Sequence, residues 1–198
     1  MIIDLALAVL AYLFGSIASA VVVCRMTGLP DPRTHGSGNP GATNVLRMSG
    51  MRPAALTLLG DFLKGTLPVL VAVLLGRRPE AVALVGLAAF LGHLYPVFFG
   101  FQGGKGVATG LGVLLGWSWP AFLATGATWL LVAAVFRISS VAALASFLLT
   151  PLYLLAFGAD TAIVLGMGAV TVLTYWRHRS NVRKLLDGTE GRIGTPKD

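Results

Sequence analysis

The chain has 198 residues, of which 56% are hydrophobic and only 12% charged, and its mean hydropathy is +0.80. This composition excludes an ordinary soluble domain and predicts an integral membrane protein. The formal net charge is +7, and the basic residues lie between apolar runs, which favours anionic headgroups or anionic substrates over nucleic acid as partners. The single cysteine, Cys24, excludes an intrachain disulfide. Because the sequence has no cluster of metal-ligand residues, we expect no metal and no cofactor.

Seven apolar runs predict an all-α protein with seven transmembrane helices in one domain, residues 1–198. The fourth run is short for a span, and only Ser118, Trp119 and Pro120 separate it from the fifth. The two could form a tight hairpin of short helices or one long kinked segment. The runs cover residues 2–23, 54–75, 81–99, 106–118, 119–136, 140–157 and 160–176.

The distribution of basic residues decides between six and seven spans. Of the 15 lysines and arginines, seven spans place Arg77 and Arg78 on one side, Lys64 inside a span and the other twelve on the opposite side. Six spans would divide the basic residues between both faces. The positive-inside rule therefore predicts seven spans, with the N-terminus outside and the C-terminus cytoplasmic. The twelve are Arg25, Arg33, Arg47, Arg52, Lys105, Arg137, Arg177, Arg179, Arg183, Lys184, Arg192 and Lys197.

The first predicted cytoplasmic loop, residues 24–52, contains the sequence HGSGNPGATNVLR at 35–47. Its glycine, serine, threonine and asparagine residues form turns and offer hydroxyl and amide groups. Arg47 carries a planar fork of donors that suits bidentate phosphate binding. A solvated loop with an arginine anchor is the simpler interpretation, but about 25 loop residues in so small a bundle indicate a function.

A second polar stretch, GHLYPVFFGFQGGKGVAT at 92–109, joins two apolar runs. Glycines at 103, 104 and 106 allow positive φ and uncovered N–H groups, so that an anion can approach the main chain. A helix is predicted to begin just after Lys105, which would add its positive end to the charge of the lysine. The alternative is a flexible turn in which Lys105 is only a topological anchor.

The C-terminal stretch RHRSNVRKLLDGTE, residues 177–190, is the third. If it is helical, His178 and Asn181 share a face one turn apart and could lie beside a phosphate. The alternative is a basic amphipathic tail at the membrane interface.

Two further polar groups lie in or beside the spans. Asp61 and Lys64 are three residues apart inside the second apolar run, and a structural pair that holds the bundle together is favoured slightly over a functional one. Ser139 and Ser140 follow Arg137, and capping of the sixth helix is the simplest role for these hydroxyls.

In order and spacing, these three stretches resemble the three motifs of the bacterial acyl-phosphate:glycerol-3-phosphate acyltransferase family, PlsY. The resemblance covers essentially the whole chain. It implies transfer of a fatty acyl group from acyl phosphate to the 1-hydroxyl of sn-glycerol 3-phosphate, giving lysophosphatidic acid and inorganic phosphate, the entry step of phospholipid synthesis. It also implies a multi-pass protein of the bacterial inner membrane, in contact with membrane lipids, whose active site faces the cytoplasm. No obligatory protein partner is expected.

The family's functional residues map onto this sequence residue by residue. The resemblance implies catalytic roles for Ser37, Arg47, Lys105, His178 and Asn181, and a structural role for Glu190. It implies substrate-binding roles for Asn39, Thr43, Asn44, His93, Gly103, Gly104 and Ser140.

Two other classes of function are compatible with parts of the sequence. A transporter for a small anion would use the basic loops and the Asp61–Lys64 pair, but transport sites lie near the midplane and these polar stretches cluster at one face. A membrane scaffold would leave the glycine-rich turn unexplained.

Overall fold

The computed structural model describes residues 1–193; Lys197, one of the twelve basic residues in the topology prediction, lies outside the described residues. Within 1–193 the chain is helical and has no β-strand, so the all-α prediction is confirmed. A 3-10 turn covers Val97–Phe99. The α-helices are α1 Ile2–Gly15, α2 Ser19–Met26, α3 Ala42–Ser49, α4 Met51–Leu74, α5 Pro79–Leu94, α6 Val107–Trp117, α7 Trp119–Phe136, α8 Ser139–Ala156, α9 Thr161–Arg177 and α10 Arg179–Leu186.

Each of the seven apolar runs is helical, but the helices differ in their capacity to cross a membrane. Four are long and apolar enough to do so: α4, α5 with its 3-10 turn, α7 and α8. The bent pair of α1 and α2 makes a fifth candidate. Helix α6 has 11 residues and is about 16 Å long against a hydrocarbon core of about 30 Å. The count of seven spans and their orientation stay predictions.

The first apolar run was expected to be one helix, and this is wrong. It is divided into α1 and α2, which meet at an angle of 42°. Helix α1 ends at Gly15, and α2 begins only at Ser19. The break leaves the carbonyl of Ile17 to accept a hydrogen bond from the Lys64 ammonium at 2.8 Å, a contact that no local pattern encodes.

The chain divides into two compact units, Met1–Trp117 and Ser118–Asp198. Within the first unit, α1 packs on α5 and α4 packs on α6. These helices approach closely because glycines lie at the contacts: a Cβ on Gly15 would overlap the Ala89 carbonyl, and one on Gly112 would overlap the Phe62 carbonyl. Small residues at helix crossings are typical of membrane bundles. The prediction of one domain stays a prediction.

The second unit contains α7 to α10, with α8 between α7 and α9. Buried hydroxyls join these helices: Thr125 Oγ1 lies 3.0 Å from Thr150 Oγ1, and Thr171 donates to the Phe147 carbonyl at 3.0 Å. Such bonds satisfy polar groups that water cannot reach inside a bilayer. Helix α10 follows α9 after one residue, His178, and presents its basic side chains to the outside.

Candidate active site

The first motif forms an irregular segment, residues 27–41, followed by helix α3. The sequence predicted a loop throughout 24–52, so α3 is a correction. Gly41 precedes the helix and Gly50, at φ +84°, ends it. The helix forms here because Val45 is fully buried against the apolar side chains of Ala20, Cys24 and Ala54, and this long-range burial stabilises eight residues of weak intrinsic helix preference.

Asn44 holds the first motif in shape. Its Oδ1 accepts the backbone N–H of Ser37 at 2.8 Å, and its Nδ2 donates to the carbonyls of Pro32 at 3.0 Å and His35 at 3.1 Å. The side chain is 2% exposed, so these bonds are made away from water. Gly36, at φ +64°, must lack a side chain because a Cβ would overlap Asn44 Oδ1. The contacts observed for Asn44 are therefore structural, and its predicted substrate contact stays a prediction.

The other residues predicted from the first motif lie on the outer side of this segment. Ser37, Thr43 and Arg47 are exposed, and Asn39 is half-buried. Arg47 lies in the last turn of α3, where a cation also interacts favourably with the negative end of the helix. The hydroxyls and the guanidinium are thus placed where a polar ligand can reach them.

The second motif follows α5 as a turn that packs tightly on that helix. Of the three glycines at positions 103, 104 and 106, only Gly106 has a positive φ, +86°, which corrects the expectation for Gly103 and Gly104. These two must be glycine because a Cβ on either would overlap His93: its carbonyl for Gly103 and its Nε2 for Gly104. The N–H of Gly104 donates to the His93 carbonyl at 3.2 Å. The prediction that this N–H is open to an anion is therefore wrong.

Lys105 is half-buried at the end of this turn, and α6 begins two residues later, as the sequence predicted. The predicted position of the lysine, beside the N-terminal end of a helix, is therefore correct.

The two motifs are neighbours within the first unit. Arg33 Nη1 donates to the Phe99 carbonyl at 3.4 Å, and the Pro40 carbonyl lies 3.2 Å from the Cβ position of Gly104. Arg33 is itself held by Asp31 through a 2.7 Å ion pair, and this guanidinium holds the pKa of the Asp31 carboxyl below its ordinary value. The sequence had marked Arg33 only as one basic residue among twelve; its acidic neighbour two positions earlier was the available signal.

Asp61 and Lys64 form the predicted pair, with Nζ 2.8 Å from Oδ1, and both are buried. The pair is part of a larger group. His93 Nδ1 lies 3.5 Å from Asp61 Oδ1, and the backbone carbonyl of Asp61 accepts the Thr109 hydroxyl at 2.8 Å. The contribution of Thr109 had no sequence signal, because it depends on α6 crossing α4.

In the second unit, Glu190 connects two other predicted residues. Its Oε1 accepts the hydroxyl of Ser140 at 2.8 Å and the amide of Asn181 at 2.7 Å. The predicted capping role of the Ser139–Ser140 hydroxyls is wrong, since the residue before α8 is Ile138 and the Ser140 hydroxyl bonds Glu190. Nearby, the Ile193 N–H donates to the Arg137 carbonyl at 2.6 Å. The structural role expected for Glu190 stays a prediction.

His178 separates α9 from α10. Its Nδ1 lies 2.8 Å from the Thr174 carbonyl, and the ring is buried, while Asn181 is half-buried and Arg179 and Ser180 are exposed. His178 and Asn181 are therefore more buried than the two residues between them, and their predicted place beside a phosphate stays a prediction. Arg179 covers the Trp176 ring at 4.9 Å on the outer side.

Residues 5–188 match the family model described as Glycerol-3-phosphate acyltransferase. The chain belongs to the glycerol-3-phosphate acyltransferase family, PlsY. It is 56% identical over 192 residues to the glycerol-3-phosphate acyltransferase of Halorhodospira halophila, covering 97% of this chain and 98% of the relative. The enzyme of the same name from Thioalkalivibrio sulfidiphilus is 55% identical, with coverage of 98% and 96%.

Solved structures agree with the sequence relatives. The chain is similar to the glycerol 3-phosphate form of PlsY, an integral membrane glycerol 3-phosphate acyltransferase, with a TM-score of 0.93 and 40% identity over 97% of this chain and 96% of that one. For the lysophosphatidic acid form the TM-score is 0.91 at 39% identity, with the same coverage. The family predicted from the three motifs and the integral membrane character are thereby confirmed.

Proposed function

We propose that this protein transfers a fatty acyl group from acyl phosphate to the 1-hydroxyl of sn-glycerol 3-phosphate, producing lysophosphatidic acid and inorganic phosphate. Family membership supports the acceptor, because relatives are named for glycerol 3-phosphate and solved relatives are described in their glycerol 3-phosphate and lysophosphatidic acid forms. The donor follows from the resemblance of the three motifs and from the chemistry of the site.

The observation that carries this proposal is the contact, within the first unit, between two segments that each carry a candidate phosphate-binding cation. Both proposed substrates carry a phosphate, and one cation cannot neutralise two. Arg47 is presented by α3 and Lys105 by the glycine-rich turn. The segment that precedes α3 meets the second motif at two places, since Arg33 bonds the Phe99 carbonyl and the Pro40 carbonyl lies beside Gly104. We assign Lys105 to the phosphate of the donor and Arg47 to that of the acceptor.

The proposed reaction is a direct acyl transfer. Acyl phosphate is a mixed anhydride and is already activated, so no covalent enzyme intermediate is required. The 1-hydroxyl oxygen attacks the acyl carbon, the bond between that carbon and the phosphate oxygen breaks, and the hydroxyl proton goes to an oxygen of the departing phosphate. The protein supplies positioning and stabilisation of the charge that develops on the phosphate.

The remaining predicted residues have supporting roles in this proposal. Ser37 is exposed on a segment fixed by Asn44, which suits a hydroxyl that contacts substrate. We retain the roles in the same reaction predicted for Asn39, Thr43, His178 and Asn181. Ser140 and Glu190 are proposed to hold Asn181 in place, since Glu190 bonds both.

We further propose that the reaction occurs on the cytoplasmic face of the bacterial inner membrane, in a protein of seven spans. The twelve basic residues that one face receives under this topology support the orientation. The short helix α6 supports it less well, because 11 residues reach only about half of the bilayer core.

The test is an assay of phosphate release by the purified protein in detergent or nanodiscs, with acyl phosphate as donor. Release that depends on glycerol 3-phosphate, with lysophosphatidic acid as the second product, is expected. Acyl-CoA should not replace the donor, and activity should survive chelation of divalent metal ions. Comparable turnover with acyl-CoA would overturn the donor assignment, and the absence of acceptor-dependent release would overturn the function.

A further inference from the structure

Asp61, Lys64 and His93 form a buried polar group that the proposed chemistry leaves without a catalytic role. Their exposures are 2%, 3% and 5%. Asp61 Oδ1 lies 2.8 Å from Lys64 Nζ and 3.5 Å from His93 Nδ1. Ionisable side chains at this depth are costly, so a function beyond pairing is the usual reason for their presence.

His93 connects this group to the glycine-rich turn. One edge of its ring faces Asp61, and the opposite nitrogen, Nε2, occupies the space that a Cβ on Gly104 would fill. The carbonyl of His93 accepts the Gly104 N–H at 3.2 Å. Both the ring and the backbone of His93 therefore set the position of Gly104, the residue before Lys105.

Asp61 also holds the other side of the turn. Its backbone carbonyl accepts the hydroxyl of Thr109, which is fully buried in the first turn of α6. Helices α4 and α6 approach closely at this point: a Cβ on Gly65 of α4 would overlap the Thr109 carbonyl of α6. Lys105 thus lies between two fixed residues. Gly104, on one side, contacts His93, and Thr109, on the other, bonds the backbone of Asp61.

Lys64 fixes Asp61 in turn. Its ammonium contacts Asp61 and the carbonyl of Ile17, at the break between α1 and α2. The contacts therefore run without interruption from the first two helices through α4 and α5 to the turn.

We infer that Asp61, Lys64 and His93 are positioning residues for Lys105, and that His93 acts through Gly104 rather than by contact with substrate. A turn with three glycines among four residues has many accessible conformations, and Lys105 needs one of them. Stabilisation of developing charge requires a donor that is already in place, and small displacements of such a donor are costly to rate. The packed ring of His93 supplies the rigidity that the turn lacks. This inference rests on the proposed function.

The experiment is a double-mutant cycle on His93 and Lys105. Phosphate release is measured for the wild type, His93→Ala, Lys105→Ala and the double variant, with separate KM values for acyl phosphate and glycerol 3-phosphate. If His93 acts through Lys105, removing the lysine removes the benefit of the histidine. We expect His93→Ala to lower kcat/KM about tenfold in the wild-type background and less than threefold in the Lys105→Ala background. The loss should affect the same kinetic parameter as in Lys105→Ala and leave the KM for glycerol 3-phosphate unchanged.

Two controls separate this role from general loss of structure. Leu84→Ala changes a 45% exposed residue of the same helix and should retain wild-type kinetics. His93→Asn, which keeps a hydrogen-bonding atom toward Asp61 but not the ring beneath Gly104, should behave like His93→Ala. It also takes the place of His93→Ala in the cycle if that variant does not fold.

Each outcome decides a different point. Losses that multiply in the double variant, or a raised KM for glycerol 3-phosphate in His93→Ala that Lys105→Ala does not share, would overturn the positioning role. A rise shared by both variants would instead overturn the assignment of Lys105 to the donor phosphate. An inactive wild type would instead overturn the proposed function.

Discussion

Replacing Lys64 by methionine tests how much the buried ion pair stabilises the fold. Lys64 Nζ lies 2.8 Å from Asp61 Oδ1 and 2.8 Å from the Ile17 carbonyl, and both side chains of the pair are 4% exposed. Methionine keeps the length and apolar character of the stem but removes the charge. The Asp61 carboxylate would then be buried with His93 as its nearest titratable neighbour.

The expected cost follows from the two ways in which the protein can respond. Removing one partner of a buried pair costs about 3–5 kcal/mol. Protonating an ordinary carboxylate at pH 7 costs about 4 kcal/mol, and this limits the penalty because the protein can take up a proton instead. We therefore expect Lys64→Met to lower the free energy of unfolding by about 3–4 kcal/mol.

The double variant Asp61→Asn/Lys64→Met removes both charges. It leaves no buried charge without a partner, and it loses the hydrogen bond from the Lys64 ammonium to the Ile17 carbonyl, which as a bond to a charged group contributes about 1.5–3 kcal/mol. The double variant should thus be more stable than the single one, although it carries one substitution more.

The assay is reversible unfolding in mixed detergent micelles, followed by tryptophan fluorescence. Leu63→Met is the matched control, since Leu63 is the neighbouring residue, 37% exposed, and receives the same side chain; we expect a change within about 0.5 kcal/mol. A single-variant cost below 1 kcal/mol, or a double variant less stable than the single one, would refute the reasoning that an uncompensated buried charge dominates.

Three other predictions concern the site and the topology. Lys105→Ala should lower kcat/KM by about ten- to a hundredfold, because a charge-assisted phosphate contact contributes about 1.5–3 kcal/mol. Arg47→Lys should also be poorly active, since one ammonium cannot replace a planar fork. The control Arg78→Ala, at an exposed position, should keep the wild-type kcat/KM. Steady-state kinetics that leave both site variants within threefold of wild type would place the site elsewhere. Glu190→Ala should destabilise the protein by about 1–3 kcal/mol in the micelle assay, because two hydrogen bonds are lost. Glu190→Gln should cost less than half as much, since its amide oxygen can accept both bonds, and equal costs would contradict this account. Cysteines introduced at Thr34 and Thr189 should both react with an impermeant reagent from the cytoplasmic side, and labelling from opposite sides would exclude seven spans.

The sequence by itself determined the membrane character, the helical class and the positions of α4, α5, α7 and α8. These follow from the length and hydropathy of local segments, because the polar backbone of an apolar segment in a bilayer must satisfy its own hydrogen bonds. The sequence also located the three polar motifs, since glycine, asparagine and arginine stand out against apolar surroundings. The i,i+3 spacing of Asp61 and Lys64 was enough to predict their ion pair.

The tertiary structure alone decided the contacts between residues that are distant in sequence. The break between α1 and α2 is joined to Lys64, 47 residues away, and helix α3 forms where Val45 meets Ala20 and Ala54. Likewise, positions 103 and 104 require glycine because His93 lies too close for a side chain, and not because of their backbone angles. Such contacts depend on how helices cross, and crossing geometry is set by packing between segments distant in sequence, which no local pattern contains.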